Sequence, residues 1–173
     1  MGEMVLVLGG ARSGKSSFAL RECSGLTGRK AFIATASSGA LDEEMKARIE
    51  AHRKEREALA GWESFEETAD LPGLVGREGP RFDVILIDCL TLWISGLLMG
   101  EADVSAETGR LLKAAKEARG AVYAVSNEVG MGVVPETSLG RAFRDAAGRL
   151  NQLAASAADK VYFVAAGIPI QIK

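Results

Sequence analysis

The chain of 173 residues is predicted to form an α/β fold of three layers, a mostly parallel sheet with helices on both faces. Three features predict it. Short strand-like apolar runs alternate with longer helix-like stretches along the chain. Several of the runs are apolar throughout, as strands buried on both faces are. The first run, Met4-Val5-Leu6-Val7-Leu8, leads directly into a glycine-rich turn that opens a helix-compatible stretch.

Taken in order, residues 4–8 form the first strand, and Ser17-Phe18-Ala19-Leu20-Arg21-Glu22, free of breakers, predicts a helix over 15–24. A strand over 30–35 precedes a long charged helix over 42–59, in which Met45, Ile49 and His52 share a face. Strands over 62–66 and 84–88 follow, separated by an irregular stretch over 72–80 that begins and ends in proline. Helices over 91–99 and 106–119, a strand over 121–126, a glycine-containing loop over 128–138 and a helix over 139–157 come next. The strand over 160–165 turns through Ala166-Gly167 into Ile168-Pro169-Ile170-Gln171-Ile172, a hairpin whose last strand is an antiparallel edge. Pro169 lacks the N–H that a central strand would donate, which places it at the edge. No repeat, low-complexity tract or linker divides the chain, so residues 1–173 are read as one domain with a sizeable core.

A hydrophobic share of 47% with 25% charged residues is ordinary for a globular protein and argues against disorder. The net charge of −2 supplies no broad cationic field, which argues against nucleic acid or an anionic membrane as partner. Cys23 and Cys89 form no C-x-x-C pattern and read as small buried hydrophobes of a reducing compartment. A core strand begins within a few residues of Met1, leaving no room for a signal peptide. The most apolar stretch, 89–99, is too short to span a bilayer. A cytoplasmic location is the expectation.

The chemistry begins at Gly9-Gly10-Ala11-Arg12-Ser13-Gly14-Lys15-Ser16, a complete G-x-x-x-x-G-K-[ST] phosphate loop. Its glycines let backbone N–H groups curl around phosphate oxygens, Lys15 reaches the β- and γ-phosphates, and the Ser16 hydroxyl ligates Mg²⁺. The helix that follows points its positive end at the same anion. Val84-Ile85-Leu86-Ile87-Asp88 ends a strand in a carboxylate, which either holds Mg²⁺ opposite Ser16 or caps the next helix.

His52, the sole histidine, lies among Arg48, Arg53, Lys54 and Arg56. It is either the margin of a solvated helix or a neutral imidazole able to attack phosphorus, with Arg48 or Arg56 bracing phosphate oxygens. Cationic neighbours favour the neutral form that attack requires. Ser126-Asn127-Glu128-Val129-Gly130-Met131-Gly132-Val133-Val134-Pro135-Glu136 follows a predicted central strand, where ligands of open α/β sheets bind. Asn127 and Glu128 are therefore substrate candidates, or caps of the next segment. Arg141, Arg144 and Arg149 either read phosphate or sit solvated on a surface helix.

With the phosphate loop, Ile33-Ala34-Thr35-Ala36, Asp42-Glu43-Glu44-Met45 with Arg48, Ile49 and His52, Trp62 with Glu66, Ile87-Asp88-Cys89-Leu90-Thr91, the 125–135 segment, the 143–152 segment and Gly167-Ile168-Pro169, the chain resembles a known family over nearly its whole length. It is similar to the bifunctional adenosylcobinamide kinases/adenosylcobinamide-phosphate guanylyltransferases of cobalamin biosynthesis. The resemblance implies that ATP or GTP phosphorylates the hydroxyl of the aminopropanol arm of adenosylcobinamide. The product then accepts GMP from GTP, giving adenosylcobinamide-GDP and pyrophosphate. His52 matches the family's guanylylated histidine. Ala34, Thr35, Ala36, Arg53, Arg56, Glu66 and Asp88 join the phosphate loop around the nucleotide, Asp88 with both a metal and a nucleotide role open. The resemblance further implies a sheet of the recombinase (RecA-like) type and a ring-like homotrimer.

Overall fold

The computed structural model describes residues 2–36 and 61–173. The alternation read from the sequence becomes β1 (Met4–Gly9), α1 (Lys15–Gly25), β2 (Lys30–Ala34), β3 (Trp62–Glu66), α2 (Leu71–Glu78) and a single 3₁₀ turn (Gly79–Arg81). It continues with β4 (Val84–Asp88), α3 (Leu90–Met99), α4 (Val104–Glu117), β5 (Ala121–Asn127), α5 (Ser138–Ala157), β6 (Lys160–Ala165) and β7 (Ile168–Gln171). The helix expected over 42–59 lies outside the described residues.

Among the described residues the strands form one sheet in the order β3-β2-β4-β5-β1-β6-β7. Every neighbouring pair is parallel except β6 and β7, which pair antiparallel as the closing hairpin. Pleating sends alternate side chains of each strand to opposite faces. Met4, Leu6, Ile33, Ile85 and Ile87 pack with Leu71, Trp93, Ile94, Leu111 and Leu150 of α2 to α5. Val5, Val7, Phe32, Leu86 and Val125 pack on the other face with Phe18, Ala19 and Cys23 of α1. Both faces are covered, which is why β1 and β4 are apolar without alternation; each fully buried Val, Leu or Ile contributes roughly 1.5–3 kcal/mol.

The irregular stretch expected over 72–80 is instead α2 and its 3₁₀ turn. Pro72 falls in the first helical turn, where no N–H is needed, and Asp70 caps the helix by accepting from the Gly73 N–H at 3.1 Å. Leu71, Leu74 and Val75 are buried by α2, and that burial outweighs the cost of its glycines.

The register lines up the sheet's C-terminal edge. Glu66 pairs with Ala34, Ala34 with Asp88 and Asp88 with Val125. Gly9, at the end of β1, pairs with Asn127 on one side and Val164 on the other. Residues scattered over the sequence thus meet along the one edge where ligands of open parallel sheets bind.

Candidate nucleotide site

The loop between β1 and α1 is shaped by its glycines. A Cβ on Gly9 would collide with the Ser13 hydroxyl and the Val164 carbonyl, so the chain turns there only without a side chain. The Ser13 N–H closes the turn onto the Gly10 carbonyl at 3.3 Å. Gly14 enters α1 with φ +91°, the left-handed region. α1 has no side-chain N-cap and no acidic residue in its first turn; α3 shares both traits, whereas Asp70, Asp103 and Thr137 cap α2, α4 and α5. The first N–H groups of α1 and its dipole are left for an anion.

A Cβ at Gly14 would also sit 3.2 Å from the Gly167 Cα of the closing hairpin, whose N–H donates to the Ser13 carbonyl at 2.8 Å. Gly14→Ala is expected to cost about 1–2 kcal/mol through the left-handed backbone, before any effect of crowding. Thermal unfolding with and without GTP checks it: the midpoint falls and the shift produced by GTP shrinks.

Lys15 is 8% exposed and donates from Nζ to the Gly10 carbonyl at 3.1 Å. Burial holds its ammonium below the ordinary lysine value, while neighbouring Cys89 and Asp88 pull the other way. The Ser13 hydroxyl is buried and has no hydrogen-bond partner among the described residues. A desolvated ammonium, an orphaned hydroxyl and an uncapped helix start converge on one loop, and each is a group that an oxyanion satisfies. The residues present therefore fit a bound triphosphate. Among the described residues no cluster of three or more His, Cys, Asp or Glu could hold a metal. Mg²⁺ would arrive with the phosphates, held by Ser16 and Asp88.

Behind the loop runs a hydrogen-bonded chain of polar groups. The Thr35 hydroxyl donates to the Cys89 carbonyl at 2.6 Å and accepts from the Cys89 N–H at 2.8 Å, pinning the backbone that follows Asp88. Thr91 Oγ1 lies 3.1 Å from Cys89 Sγ and accepts from Asn127 Nδ2 at 2.7 Å. Asn151 of α5 donates from Nδ2 to the Asn127 carbonyl at 3.2 Å and accepts from the Ser126 hydroxyl at 2.7 Å. Thr35, Thr91, Ser126 and Asn151 are all buried. Burial, with Asp88 adding to it, pushes the Cys89 thiol up, so it stays a neutral, hydrogen-bonded group as expected from its isolation in the sequence.

Thr35→Val keeps the volume and removes both bonds to Cys89. It is expected to destabilise the protein by about 1–3 kcal/mol, read as a lowered thermal midpoint, because the buried Cys89 N–H loses its partner and its carbonyl keeps only the 3.4 Å bond from the Trp93 N–H. Ser126 and Asn151 escaped the sequence reading as structural groups. The signal available was a polar residue on an otherwise apolar face, beside Ala147, Leu150 and Ala154.

Of the other expected residues, Ala34 and Asp88 stand at the sheet edge beside the loop, and Glu66 is exposed at the end of β3. The Glu128 N–H donates to the Gly9 carbonyl at 3.0 Å, and its carboxylate accepts from the Gly130 N–H at 2.6 Å. Arg141 binds the Pro135 and Glu136 carbonyls, and Arg144 pairs with Asp145. Arg149 instead borders a groove of about 750 Å³ lined by Leu98, Val104, Leu150 and Leu153, which includes no other expected site residue. His52, Arg48, Arg53 and Arg56 lie outside the described residues. The Leu92–Met99 stretch, read as contact or core, is core at Trp93, Ile94 and Leu97, with Met99 exposed.

Comparison with known proteins shows the fold and the family of the chain. Solved structures similar in fold include the flagellar accessory protein FlaH from Methanocaldococcus jannaschii, with a TM-score of 0.55 at 12% identity over 94% of this chain and 70% of that one. A KaiC-like protein from Pyrococcus horikoshii OT3 gives a TM-score of 0.53 at 13% identity, over 94% of this chain and 70% of that one. The RadB recombinase gives 0.50 at 16%, over 94% and 74%. These likenesses bear out the recombinase-type fold. In sequence, the bifunctional adenosylcobalamin biosynthesis protein CobU of Escherichia coli K12 is 40% identical over 185 residues, covering 98% of this chain and 99% of that protein. The bifunctional adenosylcobalamin biosynthesis protein CobP of Pseudomonas aeruginosa is 40% identical over 170 residues, covering 97% and 96%. The family described as "Cobinamide kinase / cobinamide phosphate guanyltransferase" matches residues 5–172. The chain belongs to the cobinamide kinase/cobinamide phosphate guanylyltransferase family, the bifunctional enzymes of adenosylcobalamin biosynthesis.

Proposed function

We propose that both activities of this enzyme draw on a triphosphate gripped at the phosphate loop, and that His52 carries the guanylyl group from GTP to the acceptor. The observation that carries this reading is the anion-seeking loop itself, with buried Lys15, the orphaned Ser13 hydroxyl and the uncapped start of α1 beside Asp88. In the kinase step the adenosylcobinamide hydroxyl attacks the γ-phosphorus of ATP or GTP, and the nucleoside diphosphate leaves. Lys15 and the loop amides stabilise the charge that gathers on the β- and γ-oxygens. Mg²⁺, held by Ser16 and Asp88, would neutralise charge on the same oxygens when bound.

In the second step neutral His52 attacks the α-phosphorus of GTP. A P–N bond forms, the bond between the α-phosphorus and its bridging oxygen breaks, and pyrophosphate leaves. A phosphate oxygen of adenosylcobinamide phosphate then attacks that phosphorus, releasing His52 and forming the diphosphate of adenosylcobinamide-GDP. Splitting the transfer spares a weakly nucleophilic phosphate a direct encounter with an anionic triphosphate. Arg53 and Arg56 would brace the nucleotide phosphates, Ala34, Thr35, Ala36 and Glu66 would border the guanine, and Asn127 and Glu128 would face the acceptor. A carboxylate such as Glu66 is a natural acceptor for the guanine N1–H and N2–H₂ donors. Among the described residues no helix is long and apolar enough to cross a membrane. We assign the enzyme to the cytoplasm and to a homotrimer by family resemblance.

GTP labelled at the α-phosphate, incubated with the protein without acceptor, tests the carrier step. Acid-labile, alkali-stable label on the protein, absent with γ-labelled GTP, is the expected result. Guanylyl transfer to the acceptor without any such label overturns the reading.

A further inference from the structure

We infer that the loop over residues 129–139 is the seat of the corrin portion of the acceptor and sets the affinity for it independently of the nucleotide. This rests on the reading that the acceptor meets a triphosphate at the phosphate loop. Met131, Val133, Val134 and Leu139 are 80%, 95%, 60% and 60% exposed, an apolar concentration well beyond the scattered single residues normal on a surface.

The loop is nonetheless built to hold its shape. Val129 packs against the core, Glu128 bonds to the Gly130 N–H, the Thr137 hydroxyl accepts from the Gly140 N–H at 3.1 Å, and Arg141 clamps the Pro135 and Glu136 carbonyls at 3.0 and 2.7 Å. These hydrogen bonds fix the backbone of the loop while its apolar side chains stand exposed. That is a preformed apolar platform.

The loop's position selects the occupant. It leaves β5 with the Glu128 N–H on the carbonyl of Gly9, the first residue of the phosphate loop, so the loop starts at the edge where the triphosphate is proposed to bind. Cobinamide offers a broad macrocycle whose rim carries methyl groups between carboxamide arms, and a short arm ending in the reacting hydroxyl. A macrocycle seated here keeps that arm within reach of the loop. Charge does not oppose this occupant: residues 129–139 carry Glu136 alone, balanced by the Arg141 guanidinium on the Pro135 and Glu136 carbonyls, so apolar surface and position select what rests there.

The variant Met131→Ser/Val133→Ser/Val134→Ser changes only exposed side chains, and its folding is checked by its thermal midpoint. The KM for adenosylcobinamide is expected to rise on the order of tenfold, with the KM for GTP and the kcat at saturation within about twofold of wild type. Solution mass by light scattering stays the same. An unchanged acceptor KM overturns the inference, as does an equal rise in the GTP KM. A fall in solution mass also overturns it, since the loop would then be a contact between copies of the chain. Protein-bound label from α-labelled GTP, formed without acceptor, is expected to survive in this variant. Its absence from wild type would sink the carrier step while leaving the KM comparison to judge the loop.

Discussion

His52→Ala is expected to lose guanylyl transfer by at least about a thousandfold while phosphorylation of adenosylcobinamide continues, so that adenosylcobinamide phosphate accumulates. The kinase step needs only the phosphate loop, Mg²⁺ and the acceptor hydroxyl, none of which involves an imidazole. In the proposed mechanism the transfer step passes its phosphorus through that ring and has no substitute for it. Separate assays, product phosphate from γ-labelled ATP and adenosylcobinamide-GDP from GTP, distinguish the outcomes. Equal loss of both activities would make His52 a residue that supports the site as a whole and would remove its carrier role.

Lys15→Met should abolish both activities, each by at least about a hundredfold, because in the proposed mechanism both steps rely on this buried cation to stabilise phosphate charge. Its effect on stability runs in the opposite direction. The folded protein holds the Lys15 pKa below the ordinary lysine value, chiefly through burial. Between the lowered value and the unfolded one, the unfolded chain binds a proton that the folded chain does not, so stability rises with pH through that window. Below it, the desolvated charge is carried at full cost. The methionine variant removes the charge and keeps the apolar stem. Free of nucleotide at neutral pH it is expected to melt no lower than wild type, without the alkaline rise. Added GTP and Mg²⁺ should then raise the wild-type midpoint by mass action and leave the variant unmoved. Thermal unfolding across pH, with and without nucleotide, reads all three expectations.

The contrast identifies what a buried lysine in a ligand-free loop is for. A fold selected for stability alone would place an apolar residue at position 15, as it does at Phe18 and Ala19 on the same helix. The cost of the ammonium is offset only when an anion arrives, which is how a binding site differs from a core.

How much was legible in the chain follows from the range of each interaction. The phosphate loop is a consecutive string whose glycines, lysine and serine act within one turn, so it could be read without any partner. β3 and β4 matched their expected bounds because each is a short run closed by an acid. The stretch over 72–80 misled because proline and glycine read locally as a turn. What makes α2 helical is the Asp70 cap and the burial of Leu71, Leu74 and Val75, and burial depends on elements distant in sequence.

The polar chain behind the loop was illegible for the same reason. Thr35 meets Cys89 across 54 residues, and Asn127 meets Thr91 across 36. Thr35 was expected at the nucleotide, and its hydroxyl bonds the Cys89 backbone with its proton and one lone pair. His52 marks the other limit. Its cationic surroundings make it a candidate nucleophile, and family resemblance singles it out, but no local pattern separates a reactive imidazole from a solvated one.

Mapping the site of guanylylation decides whether His52 carries the guanylyl group. Protein incubated with GTP and Mg²⁺, digested under alkaline conditions and sequenced by tandem mass spectrometry, is expected to carry GMP on His52 alone. GMP on any other residue, or its absence while adenosylcobinamide-GDP is still being formed, would contradict the account.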